Sequence, residues 1–226
     1  MQTEVLDSAP TSVGVYVDPC CPFAWITSRW LVEVERQRPV VLDFRLVSLS
    51  VINEKRELDE WYRGFNDRAW GPARVFAAVR STFGAVGARS FYEAFGRRFH
   101  IAGDEDMNTV IPAALNDADL PTGLADEATD RRWDAELRSS TAEALSPIGL
   151  DVGTPVLHLD GTAVFGPVLS ACPCGDDAVK VFDAMRTLLA EPAFSDLRRQ
   201  RKETLDRSDP ATDHAPTRVS SDGARG

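Results

Sequence analysis

The amino-acid order predicts an α/β domain carrying a long helical insertion, on three observations. The first fifty residues alternate strand, helix, strand. Residues 53–148 show helical period and no strand pattern. Strand character then returns as a hairpin followed by one amphipathic helix. Val13-Gly-Val-Tyr-Val17 is β-branched and aromatic, and it ends at the turn signal Asp18-Pro19, so it predicts a buried strand. Pro22 suits a first helical position, where a missing N–H costs nothing. Trp25, Ile26, Trp30, Leu31 and Val34 recur at helical spacing up to Glu35 or Arg36, and Pro39 stops the pattern. Val40 to Val47 reads as a second strand. Residues 1–52 thus form a βαβ unit with parallel strands.

Within the insertion, helices are predicted over 57–69, 72–83, 88–98, 106–117, 121–128 and 130–146. Most of their aromatic residues (Trp61, Phe65, Trp70, Phe76, Phe83, Phe91, Phe95, Phe99) are assigned to the core. Residues 149–206 form the second half: strands Thr154–Leu159 and Thr162–Phe165 joined at Asp160-Gly161, then a helix from Asp176 to Leu189. Arg198-Arg-Gln-Arg201 reads as a solvated helix end. Residues 207–226, with His214, are predicted to be a disordered tail.

Composition narrows the function. A net charge of -10 over 226 residues repels nucleic-acid backbones and anionic membranes, so neither is an expected partner. No apolar run approaches the roughly 20 residues needed to span a bilayer. Met1 to Ser12 lacks a basic segment followed by an apolar one, so a cytoplasmic protein is expected. The cysteines stand at 20, 21, 172 and 174. In a reducing compartment these predict thiols, and spacings of zero and one residue do not suit a zinc site. No G-x-G-x-x-G follows the first strand, so neither flavin, nucleotide nor metal is expected.

The segment Asp18-Pro-Cys-Cys-Pro-Phe-Ala-Trp-Ile-Thr-Ser-Arg-Trp30 resembles the active-site turn and first helix of DsbA-like oxidoreductases. Further matching stretches are Ser48-Leu49, Asn53-Glu54, Ala69-Trp-Gly-Pro72, Asp151-Val-Gly-Thr-Pro155 and Phe165-Gly-Pro-Val-Leu-Ser170. The resemblance covers most of residues 13–200 and is nearest to the mycothiol-dependent nitroreductase branch. It implies a thioredoxin fold with a large all-helical insertion, and a low-molecular-weight thiol, mycothiol, as co-substrate. Hydroxychromene-carboxylate isomerase and kappa-class glutathione transferases share that fold.

Cys21 is the predicted nucleophile on physical grounds as well. It follows a strand and precedes Pro22, which places its sulfur beside the unpaired N–H groups that open a helix. Those donors and the helix dipole favour thiolate, so a lowered pKa is expected. Cys20 is expected to point elsewhere. The sequence departs from the dithiol pattern at one place: the turn reads Cys21-Pro-Phe-Ala24, and alanine cannot resolve a mixed disulfide. Three routes remain. A small thiol resolves the adduct; Cys21 adds reversibly to a conjugated alkene and leaves after bond rotation; or Cys172 or Cys174 resolves.

Thr154-Pro155 has the position of the fold's cis-proline, which would turn the Thr154 backbone toward Cys21. The family resemblance places Phe23 and Trp25 beside the thiol, with Asn53 and Tyr62 facing it from the insertion. Tyr62 offers a phenol proton. His100 closes an aromatic helix within reach of the site, whereas His158 reads as structural. The expected substrate is a small electrophile such as a nitroaromatic or quinone, or, for an isomerase, a conjugated alkene or polyene acyl group. A non-catalytic binding module is the third reading. A homodimer is compatible with the pattern.

Overall fold

The computed structural model describes residues 10–149, 152–201 and 204–210. Residues 1–9, 150–151, 202–203 and 211–226, the last holding most of the predicted tail with His214, lie outside the described residues. Strands β1 (Thr11–Val17), β2 (Val40–Leu46), β3 (Val156–Leu159) and β4 (Thr162–Phe165) form one sheet in the order β2-β1-β3-β4. β1 runs parallel to β2, with Val15 opposite Phe44, and antiparallel to β3, with Val15 opposite Leu157. The β3–β4 turn places Asp160 and Gly161 at φ 52° and 81°, the mirror-image turn that matches strand twist. Alternation along β1 sorts its side chains. Val13, Val15 and Val17 join the main core under α1 (Pro22–Glu35). Tyr16, on the opposite face, packs with Ala144 and Leu145 of the helix spanning Asp134–Leu145, and its hydroxyl donates to Glu143 at 2.7 Å. The sheet is thereby covered on both faces, as a thioredoxin fold requires.

Between β2 and β3 lie α2 (Leu49–Asn53), α3 (Glu60–Gly96), a π-helical turn (Arg97–Ile101), α4 (Met107–Asp117), two 3-10 segments (Thr122–Thr129 and Arg131–Trp133) and α5 (Asp134–Leu145). The sequence pattern predicts breaks at Trp70-Gly71 and again after Phe83. The helix instead runs through Pro72, and only Gly84, at φ 67°, leaves helical geometry. Alanine and arginine on either side of Pro72 sustain the helix, whereas a left-handed residue interrupts it. The last predicted helix, 130–146, begins as a 3-10 turn. Trp61 is 74% exposed, and Phe83 is also exposed, so neither belongs to the core.

α1 is the hub of the packing. The Trp30 indole donates to the Ala178 carbonyl of α6 (Gly175–Leu189) at 2.9 Å, tying the two halves of the chain together. Trp25 is fully buried against Gly96, where a β-carbon would stand 2.1 Å from the indole. Past α6 the chain does not extend the helix over Arg198–Arg201 as expected. It returns to the start of α1. The Trp25 indole donates to the Arg207 carbonyl at 2.9 Å, and the buried Asp209 carboxylate lies 3.6 Å from the buried Arg29 guanidinium. The predicted tail boundary at 207 is therefore corrected: Arg207 and Asp209 are tied to α1. No helix among the described residues is long and apolar enough to cross a membrane.

Candidate active site

Asp18 organises the turn between β1 and α1. Its carboxylate accepts from the Cys20 and Leu49 amides, both at 2.8 Å, which fixes the turn to the start of α2. Burial pushes its pKa up to about 6, against the pull of those two N–H donors. Cys21 is the N-cap of α1: the Ala24 N–H donates to Sγ at 3.5 Å, as the sequence geometry required. The same sulfur, as a thiol, donates to the Thr154 carbonyl at 3.6 Å. Thr154-Pro155 is a cis peptide, and Pro155 is buried behind Thr154.

The expectation of a thiol below its ordinary range is corrected by burial. Cys21 is 4% exposed, and desolvation pushes its pKa up to about 12. The Ala24 and Phe23 amides and Arg201 oppose that shift, while the Asp18 charge adds to it. In this closed arrangement Cys21 is a neutral thiol whose helix-start donors stand ready for charge. Cys20 is also corrected. It does not point away from the site but lines the same cavity, and burial raises its pKa well above the ordinary value.

That cavity, of about 500 Å³, contains Cys21, Pro22, Phe23, Tyr62, His100 and Thr154 in its wall. Two other predicted residues are placed differently. Trp25 does not reach the cavity; it is core, stacked on His100 with ring centroids 5.6 Å apart. Asn53 is buried behind Tyr62, and its amide donates to the Tyr62 hydroxyl at 3.2 Å and to Asn66 Oδ1 at 3.0 Å. It orients the phenol instead of facing the thiol. His100 Nε2 lies 2.9 Å from the Pro19 carbonyl, which can only accept. Nε2 therefore carries the proton and Nδ1 is a bare acceptor. Burial lowers the His100 pKa to about 3, so the ring is neutral.

Sequence reasoning missed the cavity's other polar groups. Arg68, Glu105, Arg201 and Arg207 all line it, and the Arg201 guanidinium lies 5.0 Å from the centre of the Phe23 ring. Asp18-Pro before the cysteines was the available signal for the buried carboxylate. Nothing in the C-terminal segment marked Arg201 or Arg207. Cys172 and Cys174 sit at the far end of α1, where the Gly175 N–H donates to Glu33. Glu33 is twelve residues along the helix from Cys21, or about 18 Å at 1.5 Å per residue. Neither Cys172 nor Cys174 lines the Cys21 cavity. Among the described residues no cluster of His, Cys, Asp or Glu is arranged to hold a metal ion.

Comparison with known proteins agrees with this architecture. A structure of 2-hydroxychromene-2-carboxylate isomerase superposes with a TM-score of 0.54 at 12% identity, covering 78% of this chain and 95% of its own. The probable DsbA oxidoreductase SCO1869 from Streptomyces coelicolor gives 0.50 at 16% identity, covering 83% and 94%. The uncharacterized protein Rv2286c of Mycobacterium tuberculosis is 29% identical over 196 residues, 84% of this chain and 82% of that one. The family model described as Rv2466c-like, mycothiol-dependent nitroreductase Rv2466c, matches residues 20–199. The chain has the fold of DsbA-like thioredoxin-fold proteins and belongs to the Rv2466c-like family.

Proposed function

We propose that this protein is a thiol-dependent enzyme in which Cys21 works as a single nucleophile, using mycothiol to reduce or conjugate a small electrophile such as a quinone or nitroaromatic. One observation carries the reading: Cys21 Sγ caps α1 at the wall of a 500 Å³ cavity, beside Thr154, with Ala24 where a resolving cysteine would stand. The residues present fit a hydroxyl- and amide-bearing thiol. Thr154 Oγ1 is buried without a hydrogen-bond partner, and the Thr154 carbonyl, 3.6 Å from the sulfur, can accept an amide N–H once Cys21 ionises.

For a quinone the balance closes with two thiols. In the step that delivers two electrons to the ring, Cys21 forms an S–S bond with the first thiol and the ring takes up two protons. A second thiol breaks that bond and leaves as the disulfide, returning Cys21. Tyr62, held by Asn53, is the candidate proton donor to the ring oxygen. Incubation with mycothiol and a quinone should give hydroquinone and a transient Cys21–mycothiol adduct, both lost in Cys21→Ser. Turnover of the quinone by Cys21→Ser at the wild-type rate would overturn the reading.

Ala24 favours a second reading. With alanine in place of the resolving cysteine of the turn, Cys21 can add to a conjugated alkene, allow rotation about the resulting single bond, and leave as it came. This redox-neutral isomerisation consumes no thiol. Turnover of a conjugated substrate with no thiol added, and no change in its oxidation state, would establish it in place of the reductase.

A further inference from the structure

The distribution of arginine says what kind of electrophile the cavity takes. The chain is acidic overall, and most of its arginines are spent on carboxylates: Arg29 on Glu93 and Asp209, Arg74 on Asp134, Arg80 on Asp43, Arg89 on Glu35. Arg68, Arg201 and Arg207 make no ion pair among the described residues, yet they come from α3 and the returning C-terminal segment to line one cavity. Among the described residues, Glu105 is the single carboxylate on that wall. Guanidinium groups gathered over an apolar lining focus an anion toward the site.

A second, independent observation also points to a ligand. His100 is 5% exposed, and its Nδ1 has no hydrogen-bond partner although the ring lines the cavity. Its other nitrogen is committed to the Pro19 carbonyl. A buried acceptor left bare in a native fold calls for a donor supplied by whatever enters.

We propose, building on the reading of Cys21 as nucleophile, that the cavity takes a conjugated carboxylic acid. Its carboxylate is held by Arg68, Arg201 and Arg207, and a hydroxyl or N–H on its body donates to His100 Nδ1. A phosphate is the less suitable anion. Arginine grips phosphates as well, but the helix-start N–H groups that commonly complete a phosphate site are drawn on by the nucleophile here, the Ala24 N–H of α1 serving the Cys21 sulfur. The anion is left to guanidinium groups around an aromatic wall of Phe23, Tyr62 and Phe99. This arrangement suits a single delocalised charge on a flat, largely apolar molecule.

The test compares two alkylating probes of equal reach, anionic iodoacetate and neutral iodoacetamide, on the full-length protein, with Cys21 modification read by peptide mapping. Near pH 9, where Cys21 reacts through the small thiolate fraction left to a thiol pushed up to about 12, the iodoacetate-to-iodoacetamide rate ratio at Cys21 should exceed that of free N-acetylcysteine by roughly tenfold at low salt. About 0.5 M salt should collapse the excess, as should the double variant Arg201→Gln with Arg207→Gln. Benzoate should protect Cys21 from iodoacetamide, and benzamide should not; this readout does not depend on how any variant folds. Reaction of Cys21 with both probes at the reference ratio, without benzoate protection, overturns the carboxylate assignment and leaves the nucleophile standing. Inertness of Cys21 toward both overturns the nucleophile and the assignment together.

Discussion

Gly96→Ala is the substitution whose consequence follows most directly from the geometry. A β-carbon at this helical position lies 2.1 Å from the Trp25 indole, about 1.3 Å inside ordinary contact. Trp25 has nowhere to retreat. It is fully buried, its indole N–H is held by the Arg207 carbonyl, Arg29 lies 4.5 Å from its ring centre, and His100 stacks on it. Overpacking of this kind costs about 1–3 kcal/mol, and breaking the Arg207 bond adds about 1 kcal/mol, against a gain of up to about 1 kcal/mol for alanine in a helix. A net loss of roughly 1–3 kcal/mol lowers the melting temperature by about 2–12 °C for a chain of this size. Displaced Trp25 also releases the Arg207 segment from the cavity. Scanning calorimetry should show the loss, and Cys21 should alkylate faster than in the wild type at the same pH. An unchanged or raised melting temperature would refute the packing described here.

Four further outcomes follow. Installing Ala24→Cys places a second sulfur beside the Cys21 cap, so the variant should form a disulfide between Cys21 and the introduced thiol and gain dithiol-driven insulin reduction that the wild type lacks; a variant in which the two remain separate thiols would count against the cap geometry. Tyr62→Phe should lower turnover by about 100- to 10,000-fold with little change in melting temperature, and Asn53→Ala should reproduce part of that loss because it frees the phenol. Cys21, its pKa pushed up to about 12, should show an alkylation rate climbing about tenfold per pH unit from 7 to 10 in the unliganded protein; a plateau by pH 7 would contradict the closed site. Acid stability should reveal two opposing groups. Asp18 binds its proton more tightly folded than unfolded (about 6 against 3.8), so its contribution is complete below the unfolded value and is lost as pH rises through 6, about 3 kcal/mol in all. His100 titrates the other way (about 3 against 6.5), so its contribution is present above 6.5 and disappears on acidification, on the order of 4–5 kcal/mol. Urea unfolding from pH 6.5 down to 4.5 should therefore show Asp18→Asn losing stability relative to the wild type and His100→Gln gaining it; parallel profiles for the two variants would refute the assignments.

The strands and the hairpin were legible because each has a short, one-sided signal: Val13, Val15 and Val17 alternate with Gly14 and Tyr16, and Asp160-Gly161 closes β3 onto β4. The helical insertion was legible as a class but not in its joints. Pro72 reads as a stop, yet helix-forming neighbours carry the chain through it, while the real break at Gly84 looks no different in sequence from Gly87, which stays helical. α2 has only five residues and depends on Ser48 as its cap and on Asp18 as a tether, too little for any periodicity to register. Cys21 as a helix cap could be read from Pro22 and the preceding strand. Its raised pKa could not, because that follows from how deeply the assembled fold buries the sulfur, and part of the cavity wall, Arg201 and Arg207, lies some 180 residues away in a segment whose composition resembles a solvated tail. Trp25 shares helical period with Ile26 and Trp30, and nothing local distinguishes a core indole from one lining a cavity. The partner that fixes it is Gly96.

The most direct test of a lone exchanging sulfur is to expose the reduced protein to mycothiol disulfide and map every cysteine by mass spectrometry. Mycothiol should be found on Cys21, persisting until further mycothiol is added, with Cys21→Ser abolishing that adduct. A Cys21 that stays free while Cys174 is loaded, or that passes into a disulfide with Cys20, Cys172 or Cys174, would contradict it.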